Sequence, residues 1–296
     1  MSFATIDDLQ QALAAHNYVA DRPLTTAIFL ALKLQKPLLL EGEAGVGKTE
    51  VAKTLASMLG RHLIRLQCYE GLDVNTTIYE WNYTRQMLQI RLLESAGRPD
   101  TNARLDEIFG PEFLIKRPLL QAIEESLDQP PVLLIDEIDR ADEEFEAFLL
   151  ELLSDWQISI PEIGTIRALQ PPTVIITSNR TREVHDALKR RCLFYWIDYP
   201  SLEKEQRIVA ARVPGASERL SQQVVSFVQE LRKLDLYKLP GVAETLDWTT
   251  ALVALDAHAL TPGLVEDTLG AILKYQDDIT QLRGNGIRAL LDKVTR

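Results

Sequence analysis

Cysteine is scarce: among 296 residues only Cys68 and Cys192 carry thiols, and only four residues are histidine. Two thiols cannot staple a disulfide scaffold, and a Cys/His zinc module would lack ligands. Long hydrophobic runs are missing as well. The longest candidate, Ala27 to Leu40, is broken by Lys33, Gln35 and Lys36, well short of the ~20 residues a membrane span requires. Asp7 and Asp8 stand where a secretory leader would need a basic start and an apolar stretch, so the sequence reads as cytoplasmic. Positive charge is in deficit, with 32 Lys+Arg against 43 Asp+Glu and a formal net charge of −11. Most of that deficit lies in residues 1–200, which carry 20 basic and 30 acidic side chains. Phosphate-backbone binding needs clustered Lys and Arg, so nucleic acid is not the expected partner. What is plentiful is apolar surface, 46% of the chain, which fills about two domains of 100–200 residues.

The first two-thirds alternates short apolar runs with amphipathic segments, the βα pattern of a parallel sheet. Strands are predicted at Pro37–Glu41, His62–Gln67, Val132–Ile135, Thr173–Thr177 and Leu193–Ile197, giving a five-stranded sheet. Helices are predicted after Asp21-Arg22-Pro23, from Thr49 to Leu59 with a stop at Gly60, from Pro118 through Leu127, and after a cap at Asp142. Gln157 to Leu169 reads as a small hairpin. Residues 77–81 with 87–92 read as a second hairpin inserted in the domain. Beyond Pro200-Ser201 the pattern is helical without β-branched runs. The predicted division is therefore an α/β domain over 1–200 and an all-α domain over 201–296.

The strongest motif is Gly42-Glu43-Ala44-Gly45-Val46-Gly47-Lys48-Thr49, which fits G-x-x-x-x-G-K-[ST] between a predicted strand and a predicted helix. Glycines let consecutive backbone N–H groups converge on a phosphate, and the helix start adds its positive dipole end. Lys48 supplies an ammonium for the β- and γ-phosphates, and the Thr49 hydroxyl is a ligand for Mg²⁺. The second motif is Val132-Leu133-Leu134-Ile135-Asp136-Glu137. It places Asp136 at the carboxyl end of a buried strand as a second Mg²⁺ ligand, with Glu137 beside it to polarise a water. An acidic run follows through Asp155, and its helical spacing puts most carboxylates on a solvated face.

The phosphate loop, Asp136-Glu137-Ile138-Asp139, the strand ending Thr177-Ser178-Asn179 and the helical C-terminal part resemble an AAA+ ATPase. Leu38–Thr49, Lys116-Arg117-Pro118-Leu119, Asp136–Ala141, Ile160–Gly164 and Thr245–Trp248 are similar to the MoxR group, in the CoxD-like branch that matures carbon monoxide dehydrogenase. The resemblance covers nearly the whole chain. It implies an AAA+ P-loop core with helix-2 and pre-sensor-1 hairpin inserts, followed by a helical lid. It implies binding of ATP and Mg²⁺, and assembly into a ring of six. It also implies a client protein and a partner carrying a von Willebrand A domain. By position, Asn179 corresponds to the polar sensor of the γ-phosphate, and Arg191, with Arg190 as alternative, to an arginine finger acting on a neighbouring copy. Tyr79, Trp81 and Tyr83 in the first insert become candidate client contacts. The lid segment Leu246–Thr250 lacks the second sensor arginine that many AAA+ proteins carry. The implied activity is Mg²⁺-dependent ATP hydrolysis that remodels a client metalloenzyme. The alternative is an ATP-dependent binding switch that hydrolyses slowly.

Overall fold

The computed structural model describes residues 3–95, 108–125 and 129–294. The chain divides into two compact units, one of Thr26–Glu41 and Leu55–Tyr195, the other of Ser2–Thr25, Gly42–Thr54 and Trp196–Arg296. The second unit is built from three separate segments.

Nine strands are described: β1 (Leu38–Gly42), β2 (Leu63–Gln67), β3 (Tyr79–Trp81), β4 (Leu114–Lys116), β5 (Val132–Asp136), β6 (Gln157–Ile160), β7 (Gly164–Arg167), β8 (Thr173–Ser178) and β9 (Leu193–Ile197). Five form one sheet in the order β2-β5-β8-β1-β9, with the β2–β5, β5–β8 and β8–β1 pairs parallel. The central strands β1 and β5 are buried along their whole length. That is why Leu38-Leu39-Leu40 and Val132–Ile135 are continuous apolar runs rather than alternating ones. On the edge strand β2 the alternation returns, with Ile64 and Leu66 inside and Arg65 exposed.

One face of the sheet shares a core with the helices Pro118–Glu125 and Glu143–Asp155, through Leu119, Leu120, Ile123, Phe145, Leu149 and Leu152. The Asp142 carboxylate caps the second of these helices by accepting from the Phe145 N–H at 2.8 Å. Leu127, predicted to extend the first, lies outside the described residues. β6 and β7 form the expected antiparallel hairpin, with Ile160 facing Gly164 across a tight turn.

The insert at 77–92 is not a hairpin. Residues 74–78 and 83–95 are helical, and β3 pairs antiparallel with β4, more than thirty residues downstream. Met87-Leu88-Gln89-Ile90-Arg91-Leu92 holds one β-branched residue among good helix formers. Asn82 starts the helix by accepting from the Arg85 N–H at 3.0 Å. Of the three aromatic residues assigned to client contact, Tyr79 and Trp81 are half-buried and pack edge to face, and only Tyr83 is well exposed at 71%.

In the second unit, helices Glu218–Leu231, Val242–Ala254, Pro262–Ile272 and Asn285–Val294 enclose a core of Phe227, Val228, Trp248, Leu252, Leu269 and Leu290. Among the described residues no helix is long and apolar enough to cross a membrane.

Candidate functional site

The glycine-rich segment 42–49 links β1 to the helix Lys48–Leu59. Gly42, Gly45 and Gly47 have φ of +153°, +77° and +95°, conformations that residues with a Cβ adopt at a cost. At Gly42 a side chain is excluded outright, since a Cβ there would lie 2.1 Å from the Ile197 carbonyl oxygen. The loop curls back over Lys48, whose Nζ donates to the Gly42 and Glu43 carbonyls at 2.7 Å each. Lys48 is 7% exposed.

The helix Val242–Ala254 starts against this loop. The Ala243 N–H donates to the Gly45 carbonyl at 3.0 Å, and Glu244 accepts from the Gly241 N–H at 2.9 Å, closing the helix start. Behind it lies a buried ion pair. Glu205 (0% exposed) accepts from Arg232 through both oxygens at 2.6 and 2.7 Å, from Gln229 at 2.7 Å and from the Thr245 hydroxyl at 2.7 Å. Arg232 Nε donates to the Pro240 carbonyl at 2.8 Å, and its guanidinium lies 4.9 Å from the centre of the Tyr199 ring.

In the other unit the carboxyl ends of β2, β5 and β8 gather the acidic residues. Asp136 is 3% exposed; its Oδ1 accepts from the Thr177 hydroxyl at 2.5 Å, and its Oδ2 from Arg65 Nε and NH2 at 3.0 and 2.5 Å. Glu137 follows in the left-handed region (φ +57°), which turns its side chain off the strand direction. Its N–H donates to Thr177 Oγ1 at 2.9 Å. Its carboxylate accepts from Asn179 Nδ2 at 3.3 Å, Gln67 Nε2 at 3.1 Å and Arg140 at 3.3 Å. Asp139, also 3% exposed, accepts from the Asn179 and Thr181 N–H groups at 3.1 and 2.9 Å, which fixes the turn after β8. The same carboxylates act on Cys68. Burial, and then Asp136, Asp139, Glu137 and Glu146, push its thiol up to about 12. Burial alone does the same to Cys192.

The structure therefore brings Asp136, Glu137 and Asn179 into one network and folds Lys48 onto its own loop. Arg191 is exposed at the end of the helix Asp186–Arg191, where its Nε donates to the Ser154 hydroxyl at 3.0 Å. Arg190 beside it is also exposed. Among the described residues no cluster of three or more His, Cys, Asp or Glu has the arrangement of a metal site. The acidic run divides as its spacing predicts: Asp142, Glu143, Glu144, Glu151 and Asp155 are exposed, while Glu146 is buried against Arg182.

Sequence reasoning missed Arg65 and Gln67. Their spacing was a usable signal, because residues two apart on a strand share a face. Here that face is the polar one at the carboxyl end of an edge strand. It also missed the contact of Gly241–Glu244 with the glycine loop, which has no local signature.

A sheet in this order, with a glycine loop at the end of β1 and an Asp-Glu pair at the end of β5, is that of the AAA+ class of α/β folds. Residues 37–192 match the AAA domain of the dynein-related subfamily, and the chain belongs to that family. An uncharacterised Staphylococcus epidermidis protein is 25% identical over 209 residues, 68% of this chain and 70% of the relative. A Staphylococcus aureus counterpart, also uncharacterised, is 26% identical over 208 residues with the same coverage. Among solved structures, a Cytophaga hutchinsonii protein described as a candidate ATPase overlays with a TM-score of 0.51 at 14% identity, over 98% of this chain and 93% of that one. The Thermotoga maritima RuvB branch-migration motor gives 0.47 at 17% identity, over 91% and 72%.

Proposed function

We propose that this chain is a Mg²⁺-dependent ATPase of the MoxR type, nearest the CoxD-like branch, which works in a ring and remodels a client metalloenzyme during maturation or cofactor insertion. In this reading residues 1–200 are the nucleotide-binding core and 201–296 the lid. The observation that carries it is the Lys48 ammonium, buried and held by two carbonyls of its own glycine loop. A cation in that position is met by oxygen donors of the kind a polyphosphate supplies better. The positive-φ glycines support the same ligand, since the conformation that turns successive amides inward is one that residues with a Cβ adopt only at a cost.

The residues fit both groups. Gly42, Glu43, Ala44, Gly45, Val46, Gly47, Lys48 and Thr49 bind the triphosphate, with Lys48 exchanging loop carbonyls for phosphate oxygens. Thr49 and Asp136 offer the hard-oxygen donors suited to Mg²⁺, which when bound neutralises charge on the phosphates. Glu137 takes the proton of the attacking water, and Asn179, bonded to Glu137, orients that carboxylate and the water. Arg191 of a neighbouring copy offsets charge on the transferred phosphoryl group, so hydrolysis depends on assembly. The client, the von Willebrand A partner and a ring of six come from the family resemblance alone.

The test is Glu137→Gln. It keeps ATP binding and loses about 100-fold or more of turnover, the usual worth of a general base. Unchanged turnover removes Glu137 from this role. In the same assay, wild-type activity per chain rises with protein concentration, and a flat profile down to high dilution overturns the finger in trans.

A further inference from the structure

The geometry points to Arg65 as a built-in competitor for the divalent ion at Asp136, a positioning residue that holds this carboxylate until the ion arrives with its nucleotide. The inference rests on the nucleotide reading above. A carboxylate buried as deeply as Asp136, 4% exposed at the side chain, needs a permanent partner. Its partners include the Thr177 hydroxyl on Oδ1 and the Arg65 fork, through Nε and NH2 together, on Oδ2. The partners differ in how readily they leave. Thr177 sits 1% exposed on β8, whereas the Arg65 side chain is half exposed on β2 at the edge of the sheet.

A hard divalent ion binds carboxylate oxygen at about 2.1 Å and in octahedral order. It cannot share Oδ2 with two guanidinium N–H groups. Entry of the ion therefore displaces Arg65 into the solvent it already touches, while Thr177 keeps Oδ1 in place. Arg65 NH2 also donates to Gln67 Oε1 at 2.5 Å, and Gln67 Nε2 donates to Glu137. Displacement thus frees the side chain that leans on Glu137.

Titration of Mn²⁺, with the free ion counted by electron paramagnetic resonance, tests this on the full chain saturated with the non-hydrolysable analogue AMP-PNP. Without its competitor, Arg65→Met binds Mn²⁺ about two- to fivefold more tightly than wild type, the scale of a half-exposed ion pair. Arg65→Lys, a point charge without the fork, falls between them. A second readout separates this from a structural role. Without added ion, Arg65→Met melts below wild type, and Mn²⁺ with AMP-PNP closes the gap. A purely structural arginine leaves the gap unchanged. Equal or weaker Mn²⁺ affinity in Arg65→Met, or a gap that persists, overturns the proposal. Should Arg65→Met fail to fold, affinity in Arg65→Lys equal to wild type does so. If wild type binds no Mn²⁺ with AMP-PNP, the nucleotide reading itself fails. If wild type binds and the variants do not differ, only the role of Arg65 fails.

Discussion

Gly42 is where the glycine loop leaves β1, and replacing it with alanine adds two costs. The added Cβ lies 2.1 Å from the Ile197 carbonyl oxygen, where ordinary contact begins at 3.4 Å. The backbone there must therefore move by more than an ångström. Overpacking of this kind costs about 1–3 kcal/mol. Holding an L-residue at φ +153° adds about 1–3 kcal/mol. Together Gly42→Ala is expected to lose about 2–6 kcal/mol. Gly47→Ala is the matched control: its φ is +95°, but a Cβ there meets nothing within 4 Å, so it carries the strain alone, about 1–3 kcal/mol. Urea unfolding followed by circular dichroism measures both, with the slope checked for constancy so that the midpoints are comparable. Near-equal midpoints for the two variants would refute the reasoning, because only the contact with Ile197 separates them.

The second unit depends on its buried ion pair. Glu205→Gln leaves the Arg232 guanidinium without its charge partner at 7% side-chain exposure, and a loss of about 3–5 kcal/mol is expected in the same unfolding experiment. A loss below ~1 kcal/mol would show that Gln229, Thr245 and the Tyr199 ring suffice. The two thiols predict an alkaline weakness. Both are pushed up to about 12 in the folded chain from an ordinary 9.0. Their contribution is intact below pH 9 and is lost as pH rises from 9 toward 12, since the unfolded chain releases those protons first. Between pH 9 and 10.5 the urea midpoint of wild type should fall more steeply than that of Cys68→Ala/Cys192→Ala, and parallel slopes would contradict the shifts.

Much of this protein was already decided by local pattern. The glycine loop, the buried strands Leu38–Gly42 and Val132–Asp136 and the cap at Asp142 follow from neighbours in sequence. Each depends on an interaction within a few residues: a positive φ, a continuous apolar run, a carboxylate three residues from an N–H. Adjacency also made Asp136 and Glu137 legible as a pair at a strand end. The tertiary structure alone decided what the insert at 77–92 became, because the strand that pairs with Tyr79–Trp81 is Leu114–Lys116, and local periodicity does not encode so distant a partner. It alone decided that Arg65 and Gln67 face Asp136 and Glu137. That follows from the parallel register of β2 on β5, which sets Gln67 opposite Asp136. Short-range rules set the conformation of each segment; the charges that meet at the sheet's carboxyl edge depend on which segments become neighbours, a choice made by packing the whole core.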